Sequence, residues 1–409
     1  MSNTFKAVKV SEHVYWVGAI DWVIRDFHGY LTSRGTTYNA FLIVADKVTL
    51  IDTVKAPFKQ ELIARISSVI SPDKIDYIVS HHAEMDHSGC LTDLIELTNP
   101  EKVFASKAGT KILKEHFDFD FELTPVGNGE SVNLGNLNLT FYDSKMLHWP
   151  ESMISYLHED KVLFSQDGFG SHLATYERFS DEVSETLWFE EAAKYYANIL
   201  LPYSKLILKL LTTLKGLNVD INVIATDHGP LWRGDDIPKI IDLYEKWALQ
   251  EPTNKAVVMY DTMWGSTDLM ARAIGEGLYE GGANVRLMPT RACHRSDVIT
   301  EILDSGALIV GAPTINNMMF PQVQDTLSYI RGLKPANLIG FSFGSYGWSG
   351  EAPKQLRKFL EDIKVNIVND DLRVKNVPKK DHLQLCFEAG KKVGEMLKKN
   401  CTCTVKCSI

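Results

Sequence analysis

The segment His81-His82-Ala83-Glu84-Met85-Asp86-His87-Ser88-Gly89 sets four metal-capable side chains, His82, Glu84, Asp86 and His87, within six residues. It follows Ile75-Asp76-Tyr77-Ile78-Val79-Ser80, an apolar run with the composition of a buried strand. No helix gathers the four, because at about 100° per residue their offsets scatter around the cylinder. In an extended loop His82, Glu84 and Asp86 point the same way, and Asp86-His87 then turns into a helix that starts near Ser88. This spacing suits a loop offering ligands to two neighbouring metals. Two imidazoles and two carboxylates without a thiolate suit iron, manganese or zinc and argue against Fe–S and copper(I) chemistry. A polar loop that only caps a strand, with Asp86 or Ser88 as N-cap, accounts for one such residue but not for four.

Working outward, the same arrangement recurs: a short strand with a metal-capable residue just beyond it. Leu137-Asn138-Leu139-Thr140-Phe141-Tyr142 leads to His148 in M-L-H-W-P, Val162-Leu163-Phe164-Ser165 to Asp167, and Ile221-Asn222-Val223-Ile224-Ala225 to His228 in T-D-H-G-P. Strand ends project loops to one edge of a sheet, where sites are built. Each residue alone reads as a turn residue; together with the 82–87 loop they read as one ligand set. Upstream, the strand patterns are Val14 to Gly18, Asn39 to Val44 and Val48 to Asp52, and Phe58 to Ile70 is helix-like. Tyr195 to Leu214 reads as one helix packed on the core.

A chain of 409 residues should hold at least two domains. The short, polar, proline-bearing stretch Gln250-Glu251-Pro252-Thr253-Asn254 marks the boundary and predicts domains 1–250 and 255–409. Apolar content of 45% and charged content of 23% are those of a soluble globular protein. A net charge of −9 gives no support to nucleic-acid binding. No apolar run has the length of a membrane span, and the first residues lack the apolar core of a secretion signal, so a cytoplasmic protein is expected. The six cysteines form no C-x-x-C pair, so no rubredoxin-like or zinc-ribbon module is expected. Cys401, Cys403 and Cys407 crowd a tail that reads as a frayed terminus.

After the boundary, strands and helices alternate regularly. Lys255 to Tyr260, Ala283 to Met288, Ala307 to Gly311, Leu338 to Ser342 and Val365 to Val368 read as strands, with helices over Asp268 to Glu280 and His382 to Lys399. Five strands alternating with helices predict an α/β fold with an open parallel sheet covered on both faces. Such sheets bind ligands beyond the carboxyl ends of their strands. Three loops there are distinctive. Thr262-Met263-Trp264-Gly265-Ser266-Thr267 offers hydroxyls and backbone N–H groups at a helix N-terminus, which hold a phosphate without a lysine. It is neither a Walker A loop nor a G-x-G-x-x-G fingerprint. Pro313, Thr314, Asn316 and Asn317 supply amides suited to a flavin edge. Ser345, Tyr346, Gly347, Trp348 and Gly350 belong to a third loop, whose Tyr346 and Trp348 suit the flat ring faces. Together they specify FMN.

These residues resemble the flavodiiron proteins, also called A-type flavoproteins, over nearly the whole chain. The motifs are H-x-E-x-D-H at His82 to His87, L-H-W-P around His148, the Asp167 turn, D-H-G around His228 and the G-W-S-G loop of the second half. The resemblance implies a metallo-β-lactamase-like αββα sandwich followed by a flavodoxin-like doubly wound sheet. It implies two irons, one on His82, Glu84 and His148 and the other on Asp86, His87 and His228, bridged by Asp167. Many hydrolases of this fold carry H-x-H-x-D-H; Glu84 in place of that histidine adds hard anionic oxygen and favours redox-cycling iron over zinc. His81, His28, Tyr30 and His172 are candidate donors behind the ligands. The family reduces dioxygen to water, nitric oxide to nitrous oxide, or both, which implies dioxygen reduction here with nitric oxide as the alternative substrate. A zinc-dependent hydrolase fused to a flavodoxin is the reading from another enzyme class. A head-to-tail homodimer or dimer of dimers, with Trp348 at the contact, is also implied. The electron donor would be separate: a rubredoxin-like protein, a flavin reductase or a reduced cofactor.

Overall fold

A computed structural model describes residues 4–118, 120–217 and 219–406, without the side chains of 400–406. It divides into two compact units, one formed mainly by the chain up to Glu245 and the other mainly from Lys246 onward, with Gly29–Leu31 and Ala197–Ser204 joining the second.

In the first unit, strand alternation produces two buried faces. Phe41 and Ile43 face one core and Leu42 the other, all fully buried. Seven strands pair in chain order: Val8–Lys9 (β1), Val14–Trp16 (β2), Phe41–Ile43 (β3), Thr49–Ile51 (β4), Tyr77–Val79 (β5), Lys102–Ser106 (β6) and Thr124–Val126 (β7). The second sheet is Ser131–Asn133 (β8), Asn138–Asp143 (β9), Met153–Leu157 (β10), Val162–Gln166 (β11), Val223–Thr226 (β12) and Trp232–Arg233 (β13). Trp16, Phe41, Val79 and Phe104 of the first sheet share a core with Phe141, Leu157, Phe164 and Ala225 of the second. Leu62, Ile66, Leu91 and Leu94 of the helices cover the other face of the first sheet. This is the expected sandwich.

Strand direction explains where the chemistry gathers. β4, β5 and β6 run parallel, so the loop after β5 leaves from one edge. In the second sheet β9 and β10 are antiparallel, as are β10 and β11, while β11 and β12 are parallel. The ends of β9, β11 and β12 therefore share an edge, and His148, Asp167 and His228 follow those ends.

In the main sheet of the second unit every pairing is parallel, and Thr314–Ile315 and Met318–Met319 form a separate antiparallel pair. Lys255–Tyr260 (β14), Asn284–Pro289 (β15), Ala307–Gly311 (β16), Ile339–Tyr346 (β17) and Asn366–Ile367 (β18) lie in the order β15-β14-β16-β17-β18, and Leu372–Lys375 (β19) also pairs with β17. This is the doubly wound order, with its switch point beyond β14 and β16.

Three sequence expectations need correction. The helix over 195–214 is broken into Glu185–Tyr195, a π turn Tyr196–Leu200, a 3-10 turn Leu201–Tyr203 and Ser204–Leu217; Pro202 lacks the N–H that a continuous helix needs. The expected last strand is present as β18, but a further strand, β19, follows it, because eight-residue β17 is long enough to pair with both. The final helix runs Lys380–Lys406, so the backbone at Cys401 and Cys403 is helical and not frayed. Cys407 and the side chains of Cys401 and Cys403 lie outside the described residues.

Asp160, in the turn between β10 and β11, ties the two sheets. It accepts from Ser11 Oγ, from His13 N at 2.8 Å and from His13 Nδ1 at 2.7 Å. Burial pushes its carboxyl upward, but these bonds outweigh that and hold it below the usual range. Hydrogen bonds to a charged group contribute about 1.5–3 kcal/mol each, and Asp160→Ala is expected to destabilise the first unit by about 2–3 kcal/mol in urea melts. A depressed carboxylate stabilises above its unfolded pKa of about 3.9 and loses that contribution as pH falls through the folded value. The difference between parental and variant protein should therefore shrink below about pH 4.

Candidate metal centre

The loop after β5 carries its ligand atoms on two kinds of backbone. His82 lies outside any helix or strand, and Glu84 is extended at φ −62 and ψ 143. Asp86 and His87 lie in a short helix, Met85–Ser88, because the Glu84 carbonyl accepts from His87 N and Ser88 N at 3.0 and 2.9 Å. The turn thus begins earlier than the expected start near Ser88, and it swings Asp86 and His87 away from His82 and Glu84. Thr53 fixes the far end, donating through N and Oγ1 to the His87 carbonyl at 2.9 and 2.6 Å. At the other edge, Asn39 donates to the carbonyls of Thr226 and Gly229 at 2.7 and 2.9 Å. Gly229, at φ +77, lets the D-H-G turn close: a Cβ there would fall 2.2 Å from Ser171 Oγ.

All seven singled-out residues converge. His82, Glu84, His148 and Asp167 each offer a donor atom within 4.8 Å of the others, and Asp86, His87 and His228 form a second such group. Asp167 faces both. Its Oδ2 lies 3.5 Å from His82 Nε2 and 3.3 Å from His148 Nε2; its Oδ1 lies 3.3 Å from His87 Nε2 and 3.4 Å from His228 Nε2. Glu84 Oε2 is 3.2 Å from His82 Nε2 and 3.1 Å from His148 Nε2. The two oxygens of Asp86 sit 3.3 Å from Nε2 of His87 and of His228 respectively.

The arrangement fits cations lying between these atoms. Both oxygens of Asp86 and both ring nitrogens of His87 are buried without a hydrogen bond among the described residues. Buried polar atoms are normally paired, and a metal ion is the partner that nitrogen and carboxylate oxygen share. Electrostatics agree. Burial works against charge on His148, yet Asp167 and Glu84 push it up to about 10. Burial likewise disfavours charged His87, but Asp86 and Asp167 hold it well above its ordinary value. Burial alone would raise Asp167, yet His87 and His148 keep it well below the usual carboxylate range. A field that holds buried imidazoles protonated also attracts divalent cations, which enter with release of those protons.

Groups behind the donors were mostly not singled out. Glu151 accepts from His82 Nδ1 at 2.8 Å, and the Thr37 carbonyl from His228 Nδ1 at 2.6 Å. Tyr195 donates to Asp167 Oδ1 at 3.0 Å, and Asp227 lies 3.3 Å from His87 Nδ1. Proximity in sequence was the available signal: Asp227 precedes His228, and Glu151 follows His148 by three positions. Of the expected donors, His28 Nε2 is 3.3 Å from Glu84 Oε1, and His172 packs its ring 4.8 Å from that of His228. His81 instead spends its ring nitrogens on Asp52 at 2.6 Å and Ser155 at 2.9 Å, and so braces the strands. Tyr30 belongs to the second unit.

In that unit, a cleft of about 300 Å³ is lined by Met263, Trp264, Thr314, Ile315, Asn316, Asn317, Gly347, Trp348 and Ser349. Seven of these are expected flavin residues; Ile315 and Ser349 are additional. Trp264 and Trp348 are each 90% exposed, leaving their flat faces free for a ring. Gly265, at φ +85 with open space where a Cβ would stand, starts the helix Ser266–Glu280 without a side-chain cap. A phosphate at that N-terminus would meet the helix's free backbone N–H groups, with no Cβ at Gly265 in its way. Thr262, Gly265, Ser266, Thr267, Pro313, Ser345, Tyr346 and Gly350 do not line the cleft. Thr262 Oγ1 accepts from Gly265 N, and Thr267 and Ser345 bond each other at 2.9 Å, so these shape the loops. The Tyr346 ring lies under the Arg373 guanidinium, 5.5 Å away.

Comparison with known proteins follows this division. Residues 36–229 match the family model "ODP family beta lactamase" and residues 258–390 match "Flavodoxin". The chain is 47% identical to the rubredoxin-oxygen oxidoreductase of Megalodesulfovibrio gigas, over 91% of this chain and 94% of that one. It is 46% identical to the nitric oxide reductase of Moorella thermoacetica, over 94% and 98%. Among solved structures, the flavodiiron protein of Giardia intestinalis superposes with a TM-score of 0.93 at 33% identity, over 97% and 98%.

Proposed function

The chain belongs to the flavodiiron protein family, and from that premise we propose that it reduces dioxygen to water, removing oxygen from the cytoplasm. The reaction consumes four electrons and four protons per dioxygen. Two irons held by the seven-residue cluster would supply the gas-binding place and two electrons, and reduced FMN in the second domain would supply two more. His82, Glu84 and His148 would hold one metal and Asp86, His87 and His228 the other, with Asp167 placed to serve both. The single observation that carries this reading is Asp167, whose two oxygens face opposite pairs of histidines at 3.3–3.5 Å.

The residues around the cluster divide the remaining tasks. The side chains of His82, His87 and Asp167 are at most 1% exposed and exclude bulk water, whereas those of His148 and Glu84 are 17% and 12% exposed and form the opening. His28, 75% exposed and beside Glu84, can carry protons from solvent at Nε2. Tyr195 fixes Asp167 by donating to Oδ1.

Domains 1–250 and 255–409 divide the work between gas chemistry and electron entry. A separate donor, a rubredoxin-like protein, a flavin reductase or a reduced cofactor, loads the FMN. A head-to-tail dimer, or a dimer of dimers, brings one subunit's flavin to the partner's metals. The second reading, nitric oxide reduction to nitrous oxide, is favoured by the 46% identity to a nitric oxide reductase. Anaerobic reduction followed by separate exposure to each gas tests both. Faster turnover with dioxygen is expected; turnover with nitric oxide alone would replace the first reading by the second. Metal analysis is expected to find two irons per chain, and zinc without iron would sink both in favour of a hydrolase.

A further inference from the structure

His82 is gripped by the same loop that delivers His148. In Leu147-His148-Trp149-Pro150-Glu151, the His148 ring stands 5.2 Å from that of His82 and the Trp149 ring meets it edge-on at 5.0 Å. Glu151 Oε1 accepts from His82 Nδ1 at 2.8 Å and from Ala83 N at 3.1 Å. Glu151 is 1% exposed, and its own carbonyl is fixed by Ser106 Oγ at 2.7 Å.

This carboxylate is poorly explained by stability. Its Oε2 is buried with no hydrogen bond among the described residues, and its ion pair is with His82. A glutamine would satisfy both donors equally well. The negative charge therefore needs another reason, and the imidazole supplies one: a carboxylate on one ring nitrogen fixes the tautomer and strengthens the other nitrogen as a donor. His228 differs, since its Nδ1 meets the neutral carbonyl of Thr37.

Resting on the metal-centre reading above, we propose that Glu151 is a positioning residue that sets the metal affinity and the potential of the half-site formed by His82, Glu84 and His148. It keeps the His82 proton on Nδ1 and presents Nε2 to the metal. Its charge makes the ring a stronger donor and so favours the more oxidised metal in that half.

Glu151→Gln separates charge from shape. Parental and variant holoproteins are compared for iron affinity by chelator competition and for midpoint potential by titration followed with electron paramagnetic resonance. The expected result is an unchanged unfolding temperature, an affinity loss of about 10–100-fold and a raised potential. Unchanged affinity and potential in a folded variant would overturn the proposal. A measurement on the parental protein guards against a variant that does not fold. Nitrogen-15 NMR of the zinc-substituted protein should show a proton on His82 Nδ1, and an unprotonated Nδ1 would equally overturn it. Parental protein that takes up no metal would overturn the metal-centre reading, and this proposal with it.

Discussion

Asp167→Ala is expected to lower gas reduction by at least about a hundredfold, which at about 1.36 kcal/mol per decade is about 2.7 kcal/mol of barrier. Four histidines face this carboxylate from both halves of the cluster at 3.3–3.5 Å. No other described carboxylate reaches both groups: Glu84 meets His82 and His148, and Asp86 meets His87 and His228. Removing it should release metal from both halves, whereas Glu84→Ala should weaken chiefly the half with His82 and His148. Iron per chain, measured after gel filtration, and gas turnover check the two variants together. FMN content is expected to stay at the parental level in both, because the flavin cleft belongs to the other unit. Two retained irons in Asp167→Ala would refute the bridging role.

The features of the cluster that were legible in the sequence are those that chemistry forces into sequence. Four ligands in one short loop exceed what turn formation needs, and three more ligands each follow a strand end. Parallel β11 and β12 then bring Asp167 and His228 to one edge. What was not legible depends on pairings between distant segments. Asp52 meets His81 only once β4 and β5 are assembled, and Glu151, although three positions from His148, meets His82 only once β5 and β10 come together. Tyr195 read as core because it lies on a helix with apolar neighbours, yet its hydroxyl reaches Asp167. In the flavin half, Thr267 and Ser345 bond each other and the Tyr346 ring lies under Arg373, contacts that residue type alone does not announce. Residue type predicts what a loop can bind; side-chain direction decides which members do so.

The flavin half should prove most sensitive at glycines that carry no chemistry. The helices Ser266–Glu280 and Lys380–Lys406 pack backbone to backbone. A Cβ on Gly277 would fall 1.9 Å from the Phe387 carbonyl oxygen, one on Gly390 2.1 Å from that of Ile274, and one on Gly394 2.4 Å from that of Leu278. These neighbours are backbone atoms, so no side-chain rotation relieves them and the helices must separate. Alanine gains about 1 kcal/mol over glycine in a helix interior, but forced overpacking costs about 1–3 kcal/mol and occasionally more. At about 2 Å from a carbonyl the upper end applies, so Gly390→Ala should destabilise the second unit by about 2–3 kcal/mol. Gly332, in the helix Pro321–Leu333 with nothing within 4 Å of its would-be Cβ, is the control. Gly332→Ala should be neutral or stabilising by up to about 1 kcal/mol. The functional consequence follows from the first helix, whose N-terminus at Gly265 adjoins the loop expected to hold the flavin phosphate. Shifting that helix moves the loop, so Gly390→Ala should lose FMN on dialysis while keeping its iron. Full flavin retention at an unchanged unfolding temperature would show that the helices can part at no cost to the site.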